Sequence, residues 1–236
     1  MTNILRPKGR RSTPDQLIAM GVHLVYSEGT RTEPKYVDNI KGLISKKYNC
    51  KPNEVLIINA TDDASYNTKS LVDYAIKDVD KRLKKGEIIN HVWIFYDKDD
   101  FPNDNFNNAN NKIESLNNSS EANSDGFKYN TNNDIAYHSC YSNECFELWL
   151  LEYFDYLDTN MNREDYISKI NEKVRKSNGT FSYEKNSDNI HTILTDAGGS
   201  IDNAIRNSKK ITEANKMKAP STKVYEFAEY FKAYMK

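Results

Sequence analysis

Apolar positions along the chain follow two alternating patterns. Four short runs are apolar or aromatic at nearly every position, over residues 22–26, 55–60, 91–96 and 135–139. Around them, apolar residues recur every three or four positions. An unbroken apolar run of five or six residues bounded by turn residues reads as a strand buried on both faces. The 3.6-residue spacing reads as an amphipathic helix.

The first helix is expected over residues 32–48, opened by Thr32, Glu33 and Pro34 as cap, acid and early proline, with Tyr36, Val37, Ile40, Leu43 and Ile44 inward. The second runs over 68–85 with Leu71, Val72, Ala75, Ile76, Val79 and Leu83 on one face, and closes at Gly86. A weaker helix carries Phe106, Ala109, Ile113 and Leu116, and a polar loop rich in Asn and Ser follows it to residue 133. A strongly apolar helix is expected from Asn143 to about Tyr156.

Strands apolar throughout, alternating with helices, are what a parallel sheet covered on both faces requires. The expected fold is therefore α/β, a parallel sheet of about four strands flanked by helices over residues 20–156. Residues 1–19 form a basic arm, with Arg6, Lys8, Arg10 and Arg11. Residues 157–236 form a C-terminal helical extension packed on the core, in which Ile167, Ile170 and Val174, then Ile201, Ala204 and Ile205, then Val224, Phe227, Ala228 and Phe231 each share a face.

Composition narrows the partners. The chain has 236 residues, with 33 Lys+Arg against 34 Asp+Glu and a formal net charge of −1. No bulk field draws it to a polyanion, so such a partner must be held by local patches or by metal. The hydrophobic fraction is only 38%, but 16 Tyr, 9 Phe and 2 Trp supply the large apolar surfaces of a folded body. Three cysteines, Cys50, Cys140 and Cys145, do not make a disulfide framework, and a cytoplasmic location is expected. No apolar run approaches the ~20 residues of a membrane span, so no membrane partner is expected.

In an open parallel sheet, functional groups gather outside the carboxyl ends of the strands. Acids stand there repeatedly: Glu28, then Asp62 and Asp63, then Asp97, Asp99 and Asp100, then Glu144 and Glu147. Carboxylates crowded on one rim repel one another unless a cation is present, which points to an oxygen-ligand site for Mg²⁺ or Mn²⁺. In extended chain Asp97 and Asp99 point one way and Lys98 another, so the two aspartates can hold a metal from one side while Glu28 holds it from a neighbouring strand. Asp100 and Glu147 complete the candidate ligands. The competing account, in which acids after strands cap the following helices, applies most readily to Asp63 and Asp100.

For a phosphodiester substrate, Arg31 and Lys35 just beyond Glu28, together with Lys98, are the candidate groups for offsetting phosphate charge. Other chemistries lack support. There is no GxxxxGK[ST], GxGxxG or GxSxG pattern. His138, Cys140 and Cys145 lack zinc spacing, and His23 and His91 read as core or edge histidines.

Three blocks carry a resemblance. Ser27-Glu28-Gly29-Thr30-Arg31-Thr32-Glu33-Pro34-Lys35-Tyr36, residues 92–101 around Asp97-Lys98-Asp99-Asp100, and Ser142-Asn143-Glu144-Cys145-Phe146-Glu147-Leu148-Trp149 together resemble the RloB-like proteins. Tyr183-Glu184-Lys185 and Pro220-Ser221-Thr222-Lys223-Val224 add a weaker echo. The resemblance implies a Toprim-like fold, encoded in prokaryotic restriction and phage-defence loci, often beside an ABC-type ATPase. It also implies Mg²⁺ held by Glu28, Asp97 and Asp99 for phosphodiester cleavage or transfer. Glu144 stands where the family usually has Pro, and Glu152 where it tends to have His.

The leading expectation is a Mg²⁺-dependent nuclease cutting DNA, RNA or tRNA as an effector of antiphage defence with an ATPase partner. A non-catalytic sensor or docking subunit of such a complex is the alternative. An aspartyl-phosphate phosphatase using Asp97 and Asp99 is weaker, because that chemistry places its Asp-x-Asp after the first strand of the chain. The sequence leaves the oligomeric state open, a homodimer included.

Overall fold

The computed structural model describes residues 15–62, 64, 66–98, 103–118, 135–177, 182–185 and 187–235. Asp63, Asp99, Asp100 and nearly all of the polar loop up to residue 133 lie outside the described residues.

The chain is α/β, as its patterning requires. Four strands, β1 (His23–Ser27), β2 (Ile57–Asn59), β3 (His91–Asp97) and β4 (Ala136–Asn143), are parallel, and a two-residue β5 (Ser221–Thr222) pairs antiparallel with β4. The sheet order is β2-β1-β3-β4-β5. From β1 the chain moves to one side through α2 (Thr32–Lys47), and from β2 it returns past β1 through α3 (Thr68–Lys84) to reach β3. The helix α4 (Asn103–Asn118) then leads to β4. The reversal of direction falls between β1 and β3.

Alternation along the strands splits the core in two. Val25, Trp93, Phe95 and Cys140 face α2 and the C-terminal helices, whereas Leu24, Tyr26, Val92, Ile94, Tyr96 and Tyr141 face α3 and α4. Both faces are thus buried, which is why these strands carry no polar stripe.

The C-terminal half supplies α6 (Arg163–Ser177), α7 (Ile190–Asp196), α8 (Ile201–Asn215) and α9 (Val224–Met235). In α9, Phe227 packs edge-on to Trp93 and Phe95 at centroid distances of 5.3 and 5.2 Å. The expected basic arm (1–19) is corrected at its end: from residue 15 it runs into α1 (Asp15–Met20), which buries Leu17 and Met20 in the core.

Two local expectations are corrected. The helix expected from Asn143 begins later, as α5 (Glu147–Leu151), because Ser142 and Asn143 are still in β4 and pair with Thr222 and Ser221. That partner lies about eighty residues away and has no local signature. Thr32 was expected to cap α2; instead it is the first helical residue, Arg31 holds the cap position without a side-chain bond, and the Thr32 hydroxyl donates to the Lys185 carbonyl at 2.8 Å.

Candidate functional site

Glu28 follows β1 and Asp97 ends β3, so the two acids stand on adjacent strands at the carboxyl edge, where the strand order reverses. Ligands of open α/β sheets sit at such a position. The β1–β3 ladder extends one step beyond β1, with the Glu28 amide donating to the Phe95 carbonyl at 3.0 Å. A third element ties the two ends together. At the start of α3, Asn67 and Ser70 form a reciprocal capping box. Thr68, the residue after Asn67, is left to donate its hydroxyl to Glu28 Oε2 at 3.0 Å, and the same Thr68 hydroxyl lies 3.5 Å from the Asp97 backbone carbonyl.

Glu28, Arg31, Glu33, Asp97, Glu147, Arg163 and Lys185 line one cleft of about 300 Å³. Of the residues expected at the site, the structure brings Glu28, Asp97, Glu147 and Arg31 together there. Arg31 is exposed at the rim. Lys35 is drawn away by an ion pair with Asp188 at 2.8 Å. Lys98 lines a different cleft, because consecutive strand residues point to opposite faces and its neighbour Asp97 takes this one. Asp62 serves a local turn, accepting from the Ala64 amide and the Tyr66 hydroxyl. Asp99 and Asp100 are outside the described residues.

Four residues, three lining the cleft and Tyr183 behind Glu147, were not anticipated as site residues. Arg163 opens α6, where Asn162 accepts from the Asp165 amide at 2.9 Å. Arg163 Nη2 donates to Asp97 Oδ2 at 3.1 Å, and its Nε lies 4.0 Å from Glu147 Oε2. A cation is disfavoured in the first turn of a helix by the macrodipole, so an arginine there was a readable anomaly. Tyr183 donates to Glu147 Oε1 at 3.3 Å, and Lys185 lies in the same loop, which Thr32 anchors.

Glu33 is the fourth. It is 6% exposed, and burial, followed by repulsion from Glu147, pushes its carboxyl up to about 7 against the pull of its own backbone amide, Lys185 and Arg163. Gly29 makes room for it: a Cβ at that position would run into the Glu33 carboxylate. The glycine that follows Glu28 thus has a steric reason.

All the candidate ligands are carboxylate oxygens, the hard donors that suit Mg²⁺ or Mn²⁺. Among the described residues that line it, four acids share the cleft with three cations, so with those acids ionised a divalent ion would turn their summed charge from net negative to net positive. Among the described residues, no three Asp, Glu, His or Cys side chains group closely enough to share a metal ion. Arg163 instead supplies the positive charge at Asp97.

The histidines form no such site. His23 and His91 stack at 4.6 Å, His138 stacks on Trp93 at 3.7 Å, and Trp93 Nε1 donates to His23 Nδ1 at 3.1 Å. They belong to the core at the opposite end of the sheet, as the sequence suggested for His23 and His91.

A family model described as RloB-like protein matches residues 23–230, most of the chain. No curated protein and no solved structure matches it.

Proposed function

The chain belongs to the RloB-like protein family, and on that premise we propose that it is a divalent-metal-dependent nuclease of Toprim type acting in antiphage defence beside an ABC-type ATPase. One observation carries the chemical part of this reading. Two carboxylates on adjacent strand ends, Glu28 and Asp97, in residues joined through the Thr68 hydroxyl (to the Glu28 carboxylate and the Asp97 backbone carbonyl), open with Glu147 and Glu33 on a cleft also lined by Arg31, Arg163 and Lys185.

In this reading Glu28 and Asp97 hold Mg²⁺ or Mn²⁺, with Asp99 the further ligand implied by the family pattern. The ion supplies Lewis-acid stabilisation and a bound water of lowered pKa. Arg31 at the open rim binds the phosphate and offsets its charge. Lys185, on the anchored loop, closes the cleft from the far side. Thr68 orients Glu28, and Tyr183 holds Glu147 in place.

The test is cleavage of end-labelled single-stranded RNA, single-stranded DNA, duplex DNA and tRNA under Mg²⁺ or Mn²⁺ by the wild type, Glu28→Gln and Asp97→Asn. Metal-dependent cutting that falls at least a hundredfold in both variants, with melting temperature preserved, supports the proposal. Equal cutting by all three proteins refutes it.

A second reading, a non-catalytic sensor or docking subunit, draws on the engagement of Asp97 by Arg163, which gives the cleft its own counter-charge without metal. No cleavage of any substrate, combined with copurification of an ATPase, selects that reading.

A further inference from the structure

A second cleft lies on the other side of the same carboxyl edge. It has a volume of about 860 Å³ and is lined by Lys98, Lys216, Lys218, Asn107, Asn111 and Glu144, among others. That is within the ~300–1,000 Å³ range of ligand clefts. The two clefts meet at the strand ends: Asp97 lines the first and Lys98 the second, and from the end of β4 Glu147 lines the first and Glu144 the second. Whatever lies across the carboxyl edge of β3 and β4 reaches both.

The walls differ in chemistry. One wall presents Lys216 and Lys218 on the turn after α8, and this turn is fixed in shape. The Tyr141 hydroxyl donates to the Lys216 carbonyl at 3.2 Å, Asn143 Nδ2 to the Met217 carbonyl at 2.7 Å, and Asn215 Nδ2 to the Pro220 carbonyl at 2.8 Å. Both lysine side chains are exposed. The facing wall is α4, where Asn107 and Asn111, one helical turn apart and exposed, offer amides that both donate and accept. Lys98 stands between the walls at the sheet edge. Among the described residues that line the cleft, three lysines oppose a single glutamate, and Glu144 already accepts from Asn160 Nδ2 at 3.1 Å.

A cationic wall facing a neutral, hydrogen-bonding wall matches a polymer with a phosphate edge and an open base edge. Within a duplex the Watson–Crick edges are paired, and an amide wall would have only backbone to meet. We propose that this cleft binds a single-stranded segment of nucleic acid, its phosphates on Lys98, Lys216 and Lys218 and its bases towards Asn107 and Asn111, feeding the strand to the acidic cleft. The identity of the ligand rests on the nuclease reading above; the binding does not require cleavage.

The test is fluorescence anisotropy on the full chain in chelator, with a labelled short RNA, the DNA of the same sequence, and the duplex. Each phosphate contact on a single strand contributes about 0.7 to the slope of log K against log salt. Lys216→Gln combined with Lys218→Gln therefore lowers the slope by about 1.4 and the affinity about 25-fold at ~0.1 M salt. Asn107→Ala with Asn111→Ala keeps the slope and reduces the preference for single strand over duplex.

Melting temperature and Mn²⁺ binding equal to wild type exclude a folding or first-cleft defect in the lysine variant. The RNA and DNA arms report which backbone is preferred. Unchanged affinity in the lysine variant, tighter binding of duplex, or equal competition by an acidic peptide each overturns the proposal. A chain that binds single strands through these lysines yet cuts nothing removes the nuclease reading and leaves this site standing.

Discussion

Arg163 offers the sharpest handle on the acidic cleft. An ion held through Asp97 Oδ2 must displace the guanidinium, whose Nη2 lies 3.1 Å from that oxygen. A hydrogen bond to a charged group contributes about 1.5–3 kcal/mol. The Arg163 side chain is 34% exposed, so water screens the pair and the lower end, about 1.5 kcal/mol, applies. Arg163→Gln removes this competition and should tighten Mn²⁺ binding about tenfold, at ~1.4 kcal/mol per decade.

Without metal the same substitution has the opposite effect on stability. Asp97, 14% exposed, and Glu147, 3% exposed, lose the guanidinium charge beside them. A cost of about 2 kcal/mol is expected, which for a chain of this size lowers the melting temperature by about 4–8 °C. Metal at a hundred times its Kd then restores about 2.7 kcal/mol. Calorimetric titration with Mn²⁺ and thermal melts across the same titration measure both quantities. Weaker or unchanged Mn²⁺ affinity in Arg163→Gln would refute the displacement argument, because Arg163 would then be supporting the site.

Three further substitutions probe other parts of the molecule. Gly29→Ala places a methyl group against the Glu33 carboxylate, and thermal melts should show a loss of about 1–3 kcal/mol together with weakened Mn²⁺ binding; an unaltered protein would mean that Glu33 relocates freely. Glu152 is fully buried and its carboxyl is pushed up to about 8 by desolvation, so the folded chain keeps a proton that the unfolded chain loses near 4.5, and stability falls as pH rises through that window. Denaturant titrations should therefore show Glu152→Gln gaining on wild type by up to about 1.4 kcal/mol per pH unit between those values, and parallel curves would exclude a buried neutral acid. His138 is held down to about 4, first by burial and then by His91, so the unfolded chain takes a proton below ~6.5 that the folded chain refuses; His138→Phe, which keeps a ring on Trp93, should flatten the loss of stability between pH 6.5 and 4, seen as a smaller shift of the urea midpoint.

What could be read from the sequence follows the range of the interactions involved. Helices α2 and α3 and strands β1 and β3 were legible because their signals are local: period, cap and turn residues within one element. Glu28 and Asp97 were legible because a parallel sheet brings its carboxyl ends to one rim whatever the loops do. The residues that complete the cleft are of another kind. Arg163, Tyr183 and Lys185 reach it from a segment that patterning describes only as amphipathic helices, and β5 is two residues whose partner is β4. Thr32 was misread as a cap because its actual partner, the Lys185 carbonyl, is 153 positions away.

The same distinction separates the lysines. Alternation alone predicted that Lys98 points away from Asp97, and the structure shows where it goes: to a cleft whose other cations, Lys216 and Lys218, arrive with the turn after α8. A chain whose formal net charge is only −1 thus carries two unlike surfaces on one sheet edge: among the described residues, four acids with three cations line one side and three lysines with one acid the other. A near-zero total argues against long-range steering of a polyanion, since opposing fields cancel beyond about a Debye length of ~8–10 Å. It does not weaken local capture, because within either cleft the nearest charges dominate. Binding of nucleic acid by this chain should accordingly be slow in association and modest at physiological salt, with its salt dependence carried by the lysine cleft and its metal dependence by the acidic one.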